Sequence, residues 1–320
     1  MKDSYNREIE YLRVSVTDKC NYRCFYCLPN GGVLGIPESE MLSFEDIVRV
    51  ISIGVGLGIR KVRFTGGEPL LRENFVKLVE MTSKIKGLEK ISLTTNGFLL
   101  GRYARDLKKA GVQGLNISIN SLKPKKYMQI TGGGRITDFF TGLNEAINAG
   151  FETVKMNVVY LKGFNDDEVE EFVHLTHDRK IIVRFIELMP KGEARNIWHD
   201  NIALIKDLRK RLKAKRLIVH EDESNKTAFS GPSRYYLTPW GGKVGLIGLV
   251  SDHYCRDCNR LRLTSDGKLY PCLMNHIYED LKPLLKGGDE ALRESFLKMV
   301  LLKPWQANIE DENMMSLIGG

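Results

Sequence analysis

Tyr11-Leu12-Arg13-Val14-Ser15-Val16 runs straight into Thr17-Asp18-Lys19-Cys20-Asn21-Tyr22-Arg23-Cys24-Phe25-Tyr26-Cys27. The first six residues read as a β-strand. Three cysteines spaced C-x3-C-x2-C follow it directly. A compact thiol loop at the C-terminal end of a strand is where barrel enzymes build their sites. The rest of the chain is read outward from that loop.

To about residue 190, β-branched runs alternate with helical patterns. Strands are predicted over 11–16, 61–65, 91–95, 115–119, 154–159 and 182–188. Helices are predicted near 43–57, 73–85, 101–110, 138–149 and 166–178. Ser43 before Glu45-Asp46, and Asn165 before Asp166-Asp167-Glu168, read as helix caps, with side-chain acceptors and negative charge at free N–H groups. Such alternation predicts an α/β fold with a parallel sheet. Six units are too few for a closed eight-unit barrel. The expected fold is therefore a partial (β/α)6 TIM-like barrel, with a doubly wound sheet as the alternative. Beyond about 215 the pattern changes. The stretch 221–245 is rich in Gly, Ser, Pro and Lys, 234–237 and 243–248 read as short strands, and 289–300 reads as a helix. The expected division is a barrel over 1–220 and a smaller C-terminal domain over 221–320.

The chain has 320 residues, 42% hydrophobic and 28% charged. That excludes a disordered chain, a collagen-like fibre and a small disulfide-stapled scaffold. No run approaches the roughly 18 apolar residues of a membrane span, and Met1–Arg7 is polar. A cytoplasmic protein with no membrane association is expected. The net charge of +8 leaves nucleic acid, nucleotides, phosphorylated metabolites or no anionic partner all open.

All six cysteines fall into two triplets: Cys20, Cys24 and Cys27, then Cys255, Cys258 and Cys272 spaced C-x2-C-x13-C. A triplet leaves one thiol over in any disulfide scheme, and grouped thiols in a reducing compartment point to metal. Four-iron clusters normally take four thiolates. Three leave one iron open to another ligand. Structural zinc is the rival, but it wants a fourth ligand, and residues 1–173 contain no His. At the second triplet His253 and His276 are near enough in sequence to complete a Cys3His zinc site. There, however, Arg260 and Arg262 alternate on one strand face, as a receptor for an anion would place them. A solvated basic edge is the plainer account.

Gly54-x-Gly56-x-Gly58 precedes a strand instead of following one, the wrong context for a dinucleotide fingerprint. No P-loop motif occurs. A bound triphosphate would need several Lys and Arg, expected at successive strand ends around one cavity.

Cys20, Cys24 and Cys27 with Tyr26, and the turn Gly66-Gly67-Glu68-Pro69, resemble the radical S-adenosylmethionine (SAM) enzymes. Adding Arg13–Asp18, Arg63-Phe64-Thr65, Leu93–Gly97, Val154–Asn157, Arg184–Met189, the second triplet with its two arginines, and the final Ile318-Gly319-Gly320, nearly the whole chain resembles the GTP 3′,8-cyclase family of molybdenum cofactor biosynthesis. The resemblance implies two [4Fe-4S] clusters, SAM bound to the first, and a 5′-deoxyadenosyl radical that takes hydrogen from ribose C3′ of GTP. The product would be (8S)-3′,8-cyclo-7,8-dihydroguanosine 5′-triphosphate. It implies SAM contacts at Tyr26, Gly67, Ser118 and Met189, with Glu68 pairing the methionyl amine. It implies GTP contacts at Arg13, Arg63, Thr94, Lys155, Arg260 and Arg262, with Lys61 and Arg184 as further cationic supports. It makes Cys20, Cys24, Cys27, Gly319 and Gly320 catalytic, the last two through a tail entering the cavity. It also implies an electron donor protein, cyclic pyranopterin monophosphate synthase downstream, a homodimer, and no nucleic acid. Asn120 stands where many members carry Asp. A peptide-modifying radical SAM maturase and a non-catalytic zinc-dependent nucleic-acid binder are the alternative functions.

Overall fold

The computed structural model describes residues 1–28, 35–225, 231–252 and 254–307. Its elements run β1 (Tyr11–Ser15), α1 (Phe44–Gly56), β2 (Lys61–Thr65), α2 (Phe75–Ser83), β3 (Lys90–Thr95), α3 (Leu100–Ala110) and β4 (Gly114–Ser118). Then come α4 (Pro124–Thr131), α5 (Ile136–Asn148), β5 (Thr153–Tyr160), α6 (Val169–Asp178), β6 (Ile182–Glu187), α7 (Ala194–Asn201) and α8 (Ile205–Ala214). The C-terminal part adds β7 (Arg234–Leu237), β8 (Lys243–Ile247), α9 (Leu249–Asp252), β9 (Arg260–Leu263), β10 (Lys268–Tyr270), β11 (Glu279–Asp280) and α10 (Asp289–Leu301).

The strands form one open sheet in the order β11-β10-β9-β1-β2-β3-β4-β5-β6-β8-β7. Strands β1 to β6 are parallel neighbours, as the alternation predicts. The C-terminal strands continue that sheet at both ends. Strand β9 lies parallel to β1, and β8 lies parallel to β6.

Local chemistry sets the element ends. In α1 the Ser43 hydroxyl accepts from the Asp46 N–H at 3.0 Å, and Ile47, Val50 and Ile51 turn inward. Asn165 does not cap α6, which begins four residues later. Its buried amide is used elsewhere, accepting from Leu161 N and donating to the carbonyls of Asn120 and Val159, each at 2.8 Å. Helices α4, α7, α8 and α9 were not foreseen. They are short or poor in apolar residues, so their periodicity is weak.

One face of the sheet is largely apolar. Leu12 and Val14, Val62 and Phe64, Leu93, Ile117, Met156, Phe185, Leu246 and Leu261 are all buried against the helices. The inner face is polar. Parallel strands buried on both sides normally carry apolar residues on both, so the polar face marks a lined cavity.

Candidate active site

Cross-strand register builds that lining in rows. Tyr11 stands beside Lys61 on one side and Arg260 on the other. Two residues further along, Arg13 stands between Arg63 and Arg262, and Arg63 is followed by Ser92. A third row holds Thr94, Asn116 and Lys155, and a fourth holds Ser118, Asn157, Arg184 and Gly245. Because side chains alternate faces with a period of two, every expected GTP contact falls on this one face. The sequence placed these cations at strand ends, which holds only for Lys61 and Arg260. Lys61 and Arg260 open their strands, and Arg13, Arg63, Lys155, Arg184 and Arg262 are each the third residue of theirs.

This arrangement is electrostatically uncomfortable when empty of anions. Burial, then Arg63, Lys155 and other nearby cations, brings Lys61 down to about 5. Burial and Arg184 bring Lys155 down to about 8. Arg13 and Arg63 are lowered by burial, Arg13 further by Arg262. The lysine Nζ of residue 61 lies 4.6 Å from the centre of the Tyr11 ring. Lys155 donates to the Tyr235 hydroxyl at 2.9 Å. Arg184 is a strut, bonded to Asn116 at 2.6 Å and to Asn157. Gly245 makes room for it, since a side chain there would meet Arg184 Cγ at 2.7 Å. Among the described residues the buried hydroxyls of Thr94 and Tyr11 have no hydrogen-bond partner. Convergent cations and idle hydroxyls suit a polyphosphate.

The first triplet closes one end of this face. Its turn is held by Cys27 N–H and Leu28 N–H donating to the Cys24 carbonyl at 2.8 and 3.1 Å. Burial and mutual repulsion raise the Cys24 thiol far up, burial pushes Cys27 up to about 12, and Cys20 is raised as well. Iron would supply the positive charge that thiolates buried here need, so the donor set fits a cluster. Among the described residues no three His, Cys, Asp or Glu side chains are set to hold a single metal ion.

The Gly-Gly-Glu-Pro turn packs on the cysteine loop. Gly67 N–H donates to the Thr17 carbonyl and Glu68 N–H to that of Lys19, both at 2.8 Å. A Cβ at Gly67 would lie 2.3 Å from the Lys19 oxygen, so the loop's backbone already fills that space. Glu68 is held by this turn and by the end of β3. It is fully buried, and its oxygens accept from Thr95 Oγ1 at 2.7 Å, Asn96 N at 2.7 Å and Leu70 N at 3.2 Å. Burial raises it to about 7. Its work is to tie the end of β2 to the end of β3.

Tyr26 reaches β4 through Asn120, whose amide donates to the tyrosine oxygen at 2.5 Å and accepts from Val159 N at 2.9 Å. The sequence flagged Asn120 only as a missing carboxylate. Asn96, Asn116 and Asn157 were also passed over, although the last two follow the same period-two spacing as the cations. Gly67, Ser118 and Met189 sit at or just beyond the C-terminal ends of β2, β4 and β6. The expected SAM contacts thus gather at the end nearest the first triplet.

The second triplet lies at the other end. Cys255, Cys258 and Cys272 line one cavity with Arg260, Arg262 and Lys303. Burial would raise the Cys258 thiol, but Arg260 and Lys303 outweigh it and bring it to about 5. His276 is exposed and does not line the cavity, while His253 lies outside the described residues. Cys258 precedes parallel strand β9, whereas Cys20 follows β1. The two triplets therefore flank the cation rows from opposite ends. The four steps from Tyr11 to Ser15 alone span about 13 Å at about 3.3 Å per residue. Gly319 and Gly320 lie outside the described residues.

Residues 14–176 match the Radical SAM superfamily and residues 181–309 match Molybdenum Cofactor Synthesis C. The chain is 46% identical to the GTP 3′,8-cyclase of Alkaliphilus oremlandii, over 100% of both chains. It is 43% identical to that of Thermodesulfovibrio yellowstonii, again over 100% of both. Among solved structures, Streptococcus suis SuiB bound to S-adenosylmethionine shares the fold with a TM-score of 0.60 at 16% identity, covering 88% of this chain and 65% of that one. No described helix is long and apolar enough to cross a membrane.

Proposed function

Because this chain belongs to the GTP 3′,8-cyclase family of radical SAM enzymes, we propose that its polar inner face holds both reactants between two iron–sulfur sites. The enzyme converts GTP to (8S)-3′,8-cyclo-7,8-dihydroguanosine 5′-triphosphate in molybdenum cofactor biosynthesis. When bound, SAM and the first cluster supply the one-electron chemistry that starts the reaction at ribose C3′.

The residues divide that work. Cys20, Cys24 and Cys27 hold the first cluster, and Tyr26, Gly67, Ser118 and Met189 hold SAM beside it. Arg13, Arg63, Thr94, Lys155, Arg260 and Arg262 hold GTP, supported by Lys61 and Arg184. Cys255, Cys258 and Cys272 hold the second cluster. With no P-loop, the triphosphate is gripped by side chains from β9, β1, β2, β3 and β5, with Arg184 of β6 in support, which fixes the ribose relative to the first triplet. Lys61 takes up a proton as the anion arrives. Gly319 and Gly320 lie outside the described residues; deleting them is expected to stop hydrogen abstraction while leaving both clusters in place. Residues 1–220 carry the radical source and 221–320 the second cluster, and both parts contribute side chains to the nucleotide. An electron donor protein, the downstream synthase and a second copy of the chain are the remaining partners in this reading.

The observation that carries it is the row Arg262, Arg13, Arg63, lying in register between the two triplets. The test is anaerobic purification with iron, sulfide and zinc analysis. About two four-iron clusters are expected, one per triplet. Cys24→Ala should abolish SAM cleavage. Cys258→Ala should lose GTP binding but keep some uncoupled SAM cleavage. Stoichiometric zinc at either triplet would refute that assignment.

A further inference from the structure

Two buried cations brace the second triplet from outside the set already assigned. Lys303 follows α10, is 3% exposed, and lines the cavity of Cys255, Cys258 and Cys272. Its ammonium donates to the Arg260 carbonyl at 2.8 Å and to the Pro271 carbonyl at 2.7 Å. Arg260 is two residues past Cys258, and Pro271 immediately precedes Cys272. One side chain therefore joins the two backbone segments that carry these thiols.

Arg7 holds the third. It is 8% exposed and donates through Nη1 to the Cys255 carbonyl at 2.8 Å. Through Nη2 it donates to the carbonyl of Pro304, the neighbour of Lys303, at 2.7 Å. Its Nε pairs with the buried Asp3 carboxylate at 2.6 Å. The Arg7 charge is thus balanced by Asp3. Both partners of Lys303 are neutral carbonyls, and a buried ammonium is costly without a counter-charge. The thiolates lining the same cavity provide one.

We propose that Arg7 and Lys303 form a clamp that fixes the spacing of the second thiolate triplet, and that Lys303 sets the charge its cluster faces. This rests on the reading that the triplet holds an iron–sulfur cluster. The two residues divide the task differently. Arg7 acts on geometry, because Asp3 cancels its charge. Lys303 acts on both, since nearby charge and hydrogen bonding tune cluster potentials. A positive charge favours the reduced, more anionic cluster, so removing it lowers the potential.

The test uses the full chain in a Cys24→Ala background, which leaves the second cluster as the one observed. Iron and sulfide at the second triplet are measured after gel filtration, and its midpoint potential by a redox titration followed by electron paramagnetic resonance. Lys303→Met should retain several-fold less iron, and what remains should titrate at a more negative potential. Lys303→Gln keeps a donor without the charge, and its loaded cluster should show the same negative shift. Lys303→Arg should stay near the parent in both. Arg7→Met should lose iron without moving the potential. A parent-like potential in both Lys303→Gln and Lys303→Met overturns the charge role, and full iron retention in Arg7→Met and Lys303→Met overturns the clamp. A parent protein with no iron at this triplet overturns the underlying cluster reading along with it.

Discussion

Arg13 and Arg63 stand side by side in register on β1 and β2, both on the polar inner face. Arg262 flanks Arg13 on the other side. Three guanidiniums in one row repel one another, and burial deepens the cost. The apo enzyme is therefore destabilised by the residues it needs for its substrate, a trade seen where sites are built for ligands.

Replacing Arg13 by Met should make the apo protein more stable, by about 1 kcal/mol. The same change should weaken GTP binding by about 1.5–3 kcal/mol, the range for charge-assisted hydrogen bonds. Chemical denaturation and equilibrium binding measure the two effects separately. A variant that loses stability would show that Arg13 is held by favourable contacts in the apo state.

Lys61 gives a pH prediction. An unfolded lysine keeps its proton to about pH 10.4, while burial brings the folded one down to about 5. Between those values the unfolded chain binds more protons, so apo stability should rise with pH, and Lys155 adds to the rise above about 8. A polyanion reverses the balance by favouring the charged amine. At pH 7, GTP binding should be accompanied by proton uptake at Lys61, read by calorimetry in buffers of different ionisation enthalpy. Lys61→Met should reduce that uptake. Identical buffer dependence in both proteins would mean that Lys61 is already charged before GTP binds.

Gly67→Ala should displace the first cysteine loop, because the new Cβ would fall 2.3 Å from the Lys19 carbonyl and 2.6 Å from that of Asp18. Backbone cannot swing aside as a flexible side chain can. The expected protein holds iron at the second triplet, loses it at the first, and no longer cleaves SAM. Full loading of both sites would show that the loop can shift without cost.

Asn120 separates a geometric from an electrostatic role. Its side chain gives one hydrogen bond to Tyr26 and takes one from Val159 N–H. An aspartate could accept from both partners, with the tyrosine hydroxyl turned to donate. Asn120→Asp should therefore keep activity, whereas Asn120→Ala should raise KM for SAM several-fold with little change in GTP affinity. Equal losses in the two variants would assign the residue a role beyond holding Tyr26.

Much of this site was legible before any coordinates. The six cysteines and their grouping, the strand-then-loop at Tyr11–Cys27 and the alternation to residue 190 are local patterns, and local patterns survive into the fold. The sequence also marked Arg260 and Arg262 as a pair on one strand face, which β9 bears out. It failed where a residue's task depends on a distant partner. The part of Glu68 in tying β2 to β3, through Leu70, Thr95 and Asn96, went unread. Asn165 read as a cap, yet it bridges Asn120, Val159 and Leu161.

By itself the sequence determined the chemistry available: two triplets of thiols, a surplus of cations without a P-loop, and strands whose alternation keeps those cations on one face. Tertiary structure alone decided where that chemistry meets. Strand β9 could have paired in a separate sheet. Instead it adds parallel to β1, some 250 residues earlier in the chain, and that single pairing sets Arg262 beside Arg13 and puts the two triplets at opposite ends. No spacing in the chain encodes this, because strand pairing is a choice among distant partners made by the burial of the whole apolar face at once.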